Sequence, residues 1–211
     1  MRRPLLAIPL VTLLWLPVLA APLPWERITA RVHPSMGRIT ITRLPTDDQA
    51  LVTGDCSTFA IDGVRHYYLT AAHCQGDVLE VDGKSAGVVL VDATLDLLVL
   101  RVPEGRHPAL ASGHPVRQGQ AVMAYGYAFG WTTIFAKTGV VAVPDLRIPL
   151  FGNRSLTLTD FAFIEGMSGG PVVDAEGRVV SMVQSSHSNG LAGQGPSIQA
   201  ILGATGAFWG R

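Results

Sequence analysis

Three short stretches carry side chains that could do chemistry together. GMSGGP, residues 166–171, sets one hydroxyl, Ser168, among three glycines and a proline; LTAAHC, residues 69–74, ends on His73 and Cys74; TLDLLVL, residues 94–100, opens an apolar run with Asp96. A serine hydroxyl is a poor nucleophile until a base takes its proton. An imidazole suits that task near neutral pH, and a carboxylate can hold the imidazole in one tautomer. A tetrahedral adduct on Ser168 would also need N–H donors aimed at its oxyanion. A glycine-rich turn can present them, because glycine adopts φ values that a side chain obstructs. Base, carboxylate and hydroxyl together describe acyl transfer.

The elements that must position these residues read almost entirely as strands. Short apolar or alternating runs cover 37–42, 57–61, 66–70, 78–81, 87–91, 96–102, 120–125, 137–143, 155–158, 170–173 and 178–183. Turn signals separate them: Asp-Gly at 62 and 82, Glu-Gly at 104 and 176, Asn-Gly at 189. Helical patterning is scarce, with Ser197 to Leu202 the best short candidate. Many short strands at turn-punctuated spacing predict an all-β sandwich or barrel. The stretch from Pro103 to Pro115 has three prolines and no periodicity, and reads as the linker between two halves, 21–105 and 106–211.

Composition narrows the function classes. The chain has 211 residues, 48% of them apolar, with 23 glycines, 14 prolines and 15% charged residues, which fits a globular protein rich in turns. Lys plus Arg and Asp plus Glu are both 16, so no overall charge points to nucleic acid or an anionic membrane as partner. At the N-terminus, two arginines precede an apolar run from Leu5 to Leu19 and then small residues. This is the layout of a secretory signal peptide over 1–20, cut after Ala20; an uncleaved anchor is the rival, weakened by its prolines and short apolar run. The expected destination is secreted or periplasmic, with no membrane insertion after cleavage. Cys56 and Cys74 behind such a leader suggest a disulfide, whose short loop would contribute about 3 kcal/mol in the chain-entropy account. As a metal pair they are poor, lacking a CxxC spacing, and neither metal nor other cofactor is expected.

The order His, Asp, Ser and the motifs TAAHC and GMSGGPVV resemble the trypsin/chymotrypsin clan of serine proteases, over roughly Leu51 to Leu202. In the second half the resemblance is strongest to HtrA-like, bacterial-type enzymes, through YGYAFG at 125–130, TGVVA at 138–142 and GMSGGPVVDAEGRVVSMV at 166–183. The chain stops soon after a second barrel should close, leaving no room for the PDZ domain that HtrA proteins usually carry. The resemblance implies two antiparallel β-barrels with the site between them and a polypeptide substrate. It implies His73 as general base and then acid, Asp96 as its orienting carboxylate, Ser168 as nucleophile, and the N–H groups of Gly166 and Ser168 as oxyanion hole. Asp92, four residues earlier, is the rival carboxylate; Asp96 leads directly into LLVLRV, as the clan's aspartate does. Glu165, His33, His66, His107, His114 and His187 match no motif and read as structural or surface groups.

Two departures bear on control and specificity. Where trypsin-like enzymes keep an aspartate that pairs with the new N-terminus on activation, this chain has Met167, which cannot form that ion pair. Ala162 stands near the place of the trypsin S1 aspartate, so a preference for Arg or Lys is not supported. The resemblance places Gln184, Ser185 and Ser186 along the substrate cleft, where a hydroxyl-lined wall favours small or polar side chains; His187 could instead attract an acidic one. Asn153 opens a glycosylation sequon, meaningful only in a eukaryotic secretory pathway. Two other classes stay open: a non-catalytic binding module on the same fold, and an esterase using Ser168. An α/β-hydrolase esterase should show G-x-S-x-G and the order Ser, Asp, His, whereas the order here is reversed.

Overall fold

The computed structural model describes residues 24–46, 49–149, 153–187 and 190–210. The expected signal segment and the Asn189-Gly190 turn's first residue lie outside them.

The expected all-β architecture is found, as two seven-stranded antiparallel sheets. The first contains β1 (Met36–Arg43), β2 (Val52–Asp62), β3 (Tyr67–Ala71), β4 (Val78–Val81), β5 (Lys84–Ser85), β6 (Gly87–Asp92) and β7 (Leu97–Arg101), in the spatial order β5-β4-β1-β2-β3-β7-β6. The second contains β8 (Ala121–Tyr127), β9 (Ile134–Ile148), β10 (Arg154–Thr159), β11 (Pro171–Val173), β12 (Val179–Met182), β13 (Ser185–Ser186) and β14 (Gly193–Pro196), in the order β12-β11-β8-β9-β10-β14-β13. A bridge between Ser181 and Ser197 draws the β12 edge toward the end of β14, which curls the second sheet into a barrel.

Local sequence explains the pieces. In β1 the residues Ile39 and Ile41 point inward while Arg38, Thr40 and Thr42 are only partly covered, the two-residue period of a half-buried strand. Leu97 to Leu100 of β7 are all buried, so this strand is covered on both faces. Asp82 and Gly83 have φ of 50° and 73° and close the β4–β5 hairpin, the left-handed pair that a two-residue turn requires. Phe59, Leu69, Val81 and Leu98 are among the side chains filling the first barrel; Val122, Val141, Val172 and Val180 form a separate cluster in the second. Each such side chain contributes about 1.5–3 kcal/mol on burial.

Each end of the described chain crosses to the other half. Helix α1 (Pro24–Val32) buries Ile28 and Val32, hydrogen-bonds Tyr125 Oη from Thr29 Oγ1 at 2.9 Å, and sends Arg31 to the carbonyl of Glu176 at 2.6 Å. Helix α2 (Ile198–Thr205) is capped by Ser197, whose hydroxyl accepts from the Ala200 N–H. Beyond it, Trp209 packs on Phe59 with ring centroids 6.5 Å apart, and Gly210 N–H donates to Ile61 of β2 at 2.8 Å. The two sheets are thus clasped from both ends of the described residues.

Candidate active site

β3 ends at Ala71, paired with Leu97 of β7, and a single 3-10 turn, Ala72–Cys74, swings His73 out of the sheet. The Ala72 N–H donates to the Asp96 carbonyl at 3.0 Å, so the two loops meet. Asp96 stands just before β7 with φ of 55°, a left-handed conformation that aspartate tolerates better than most residues. Its carboxylate takes the His73 ring at Nδ1 (2.7 Å) and the His73 backbone N–H (2.8 Å). Asp92 has a different task. Its Oδ1 accepts the N–H groups of Thr94 and Leu95 at 2.9 and 3.0 Å and shapes the loop that delivers Asp96.

Burial pushes the Asp96 carboxyl up. The His73 ring, its charge and its N–H, with a contribution from the Gln184 side chain, outweigh that and hold it below the usual carboxylate range. Asp96 is 15% exposed, against 47% for His73: the carboxylate is covered and the imidazole opens to solvent.

Cys56 of β2 and Cys74 form the expected disulfide. Cys56, His73 and Cys74 bring three donor atoms within 4.8 Å of one another, but both sulfurs are committed to each other. On the other side, Cys74 Sγ lies 3.9 Å from the Ser168 carbonyl, which brings His73 and the Ser168 turn to the same mid-strand stretch of β2.

The hydrogen bonds of the turn explain its glycines. Four consecutive carbonyls are engaged: Glu165 by Phe129 N–H (3.0 Å), Gly166 by Ser57 Oγ (2.9 Å), Met167 by Gly170 N–H (2.9 Å) and Ser168 by Ser57 N–H (2.8 Å). Of the intervening donors, Met167 N–H bonds Ile164 at 3.0 Å, while the N–H groups of Gly166 and Ser168 have no partner among the described residues. In a planar trans peptide the N–H points opposite the preceding carbonyl. The bonds on the Glu165 and Met167 carbonyls therefore fix the peptide groups that carry these two donors. Gly166 has φ of 89° and Gly169 of 83°, and a Cβ on Gly169 would run into Thr70 Oγ1 and the Ser57 carbonyl. Met167 is completely buried, packed with the valine cluster of the second barrel.

The predicted cleft residues lie along one strand end. The Ser168 hydroxyl faces the Gln184 carbonyl at 3.5 Å, the long limit of a hydrogen bond, and no hydrogen bond joins it to His73 among the described residues. In sites without substrate such bonds are commonly long or misaligned. The Ser185 hydroxyl accepts from Gln194 Nε2 at 2.9 Å. Ser186 Oγ accepts from Phe163 N–H at 2.7 Å and donates to its carbonyl at 3.1 Å. His187 is exposed, its N–H bonded to Ala192, and His107 sits between Tyr68 and Asp82. An open cavity of about 730 Å³ lined by His114, Arg117, Asp174 and Arg178 holds none of the predicted site residues.

Sequence reasoning missed Ser57. It is fully buried, and its hydroxyl also accepts Tyr127 N–H at 2.8 Å while its carbonyl accepts Thr70 Oγ1 at 2.8 Å. Its position directly after Cys56 is the only local signal it carries.

Comparison with known proteins bears on the fold and the family. The chain is similar to the active form of the Rv3671c protease from M. tuberculosis, with a TM-score of 0.75 at 20% identity, over 100% of this chain and 96% of that one. It is also similar to the HtrA-type protease AlgW, in the form with a decapeptide (TM-score 0.72, 22% identity, 86% of this chain and 66% of that one) and in the form with a tripeptide (0.70, 25%, 84% and 61%). These likenesses show a double-barrel fold. By sequence, no curated protein matches the chain. Residues 56–182, more than half of the chain, match the trypsin-like peptidase domain, and the chain belongs to that family.

Proposed function

We propose that this peptidase is a secreted or periplasmic serine endopeptidase, cleaving polypeptides through an acyl-enzyme on Ser168. The observation that carries the reading is the pair of unpartnered N–H groups on Gly166 and Ser168, flanking an engaged Met167 N–H, beside a hydroxyl that no strong hydrogen bond holds. Such donors would meet the oxyanion as it forms, where each is worth about 10²–10³ in kcat.

The remaining roles follow from the bonds already in place. Asp96 accepts Nδ1–H of His73, which leaves Nε2 as the basic nitrogen. His73 would take the Ser168 proton as the hydroxyl attacks the peptide carbonyl, and return it to the leaving amine. Water would then attack the acyl-enzyme, again through His73, and release the acid. Gln184, Ser185 and Ser186 would line the cleft, and the two halves, 21–105 and 106–211, would act as the barrels supplying base and nucleophile respectively.

Labelling with a fluorophosphonate, which phosphonylates an activated serine, tests the reading directly. Wild type is expected to be labelled and to cleave casein. Ser168→Ala and His73→Ala are expected to lose several orders of magnitude in kcat. Casein cleavage by Ser168→Ala at the wild-type rate would remove Ser168 as the nucleophile. A folded wild type that takes no label and cleaves nothing would favour a binding module instead.

A further inference from the structure

Ser57 is bonded to the Ser168 turn at two points and to the end of β8 at a third. Its N–H holds the Ser168 carbonyl at 2.8 Å, its hydroxyl donates to the Gly166 carbonyl at 2.9 Å, and the same oxygen accepts the Tyr127 N–H at 2.8 Å. All polar atoms of the residue are engaged, and it is fully buried. No charged group takes part, and the residue between the two anchored carbonyls is the buried Met167.

We infer that the Ser57 hydroxyl is a positioning residue for the oxyanion donors, a neutral lock that holds the turn in its working shape. The inference rests on the acyl-transfer reading of Ser168. Gly166 is the soft point of the turn, since at φ of 89° it has no side chain to limit its rotation. Among the described residues, the bond on its carbonyl comes from Ser57 Oγ alone. Removing that hydroxyl leaves two buried groups unpaired, the Gly166 carbonyl and the Tyr127 N–H, and leaves the two peptide groups flanking Gly166 with one bond each, Phe129 N–H to Glu165 and Met167 N–H to Ile164, so that both turn more easily. The Gly166 N–H then no longer points reliably at the oxyanion. Because Ser57 directly follows Cys56, the disulfide that steadies His73 also fixes the backbone from which the lock acts. The base and the oxyanion donors are thereby held by one stretch of β2.

The test compares wild type, Ser57→Ala and Ser57→Thr with one peptide substrate and with a peptide trifluoromethyl ketone, whose serine adduct carries an oxyanion. Ser57→Ala is expected to lower kcat by on the order of 10–100-fold, part of the effect of losing one oxyanion donor. KM should stay nearly constant, ketone affinity should fall in parallel with kcat, and the shape of the pH–kcat profile should not change. Ser57→Thr keeps the hydroxyl and is expected to recover most of kcat. An active wild type with Ser57→Ala at the same kcat, or with KM rising instead of kcat falling, overturns the lock while leaving the Ser168 reading intact. If Ser57→Ala does not fold, a folded Ser57→Thr showing neither wild-type-like kcat nor ketone affinity overturns it. A wild type that binds no ketone and takes no fluorophosphonate overturns the acyl-transfer reading and the lock with it.

Discussion

The carboxylate of Asp96 grips His73 twice, through the ring at Nδ1 (2.7 Å) and through the backbone N–H (2.8 Å). One oxygen sets the tautomer and the other sets the position of the loop. An asparagine could keep only part of this: if its carbonyl oxygen accepts from the backbone, its NH₂ faces Nδ1 and reverses the tautomer. Asp96→Asn is therefore expected to lower kcat by about 10³–10⁴-fold with the fold intact. Asp92→Asn, which retains an oxygen for the N–H groups of Thr94 and Leu95, should change kcat little. Steady-state kinetics on the two variants decide the matter, and the reverse ranking would exchange the two aspartates' roles.

The disulfide should couple stability to activity. Cys56 precedes Ser57 and Cys74 follows His73, so opening the bond loosens the neighbours of both the Ser168 turn and the His73–Asp96 pair. Replacing both cysteines by alanine is expected to cost about 2–5 kcal/mol of stability and to reduce kcat as well. Thiol titration of the unfolded, unreduced protein checks the starting state: two reactive thiols would mean that the bond is absent from the protein as isolated.

Much of the architecture was legible because strands declare themselves through apolar periodicity and turn chemistry, as in Ile39 and Ile41 or the Asp82-Gly83 hairpin. The missed strands β5 and β14 are short and built of residues such as Ser85, Gly193 and Gly195, which carry no apolar pattern; they exist because neighbouring edges offer partners. Helix α1 was overlooked although Trp25, Ile28 and Val32 repeat at helical spacing, since Pro24 and the preceding apolar segment masked its start. At the site, motifs marked the residues that the structure draws together as His73 with Asp96 and Ser168 with Gln184. Ser57 could not be found that way. Its bond to Gly166 spans 109 positions of sequence, and no local pattern encodes a contact at that distance.

Stability should fall on mild acidification. His33 sits edge-on to Tyr125 with its Nε2 buried and unpartnered among the described residues, and burial lowers its pKa. His107 is also lowered by burial, with Asp82 opposing the shift and Lys84 adding to it. The unfolded chain takes up these protons more readily than the folded one. The stabilisation is complete above the ordinary histidine pKa of about 6.5 and is lost as pH falls toward the lower folded values. Melting temperature is therefore expected to drop between pH 7 and pH 5, more gently in His33→Phe and His107→Gln. Slopes identical to wild type in both variants would show that neither histidine drives the change.

Met167 separates this site from enzymes whose oxyanion turn waits for a charged partner. A carboxylate at that place could receive a freed α-amino group; a thioether cannot, and Met167 is completely buried against Val122, Val172 and Val180. The turn is instead held by neutral hydrogen bonds from Ser57, Phe129 and Gly170, none of which depends on where the chain begins. Protein made to begin at Ala21, the expected cleavage product, and forms trimmed or extended by a few residues before Trp25, are thus expected to share nearly the same kcat/KM, and acetylating the terminus should change little. The packing of Met167 should matter more: Met167→Ala is expected to cost about 2–5 kcal/mol and to lower kcat by loosening the turn. Kinetics and melting curves on these purified variants test both halves of the argument. A large loss of activity on extension or acetylation, restored by proteolytic trimming, would show that the terminus does reach the turn and that Met167 has been given the wrong part.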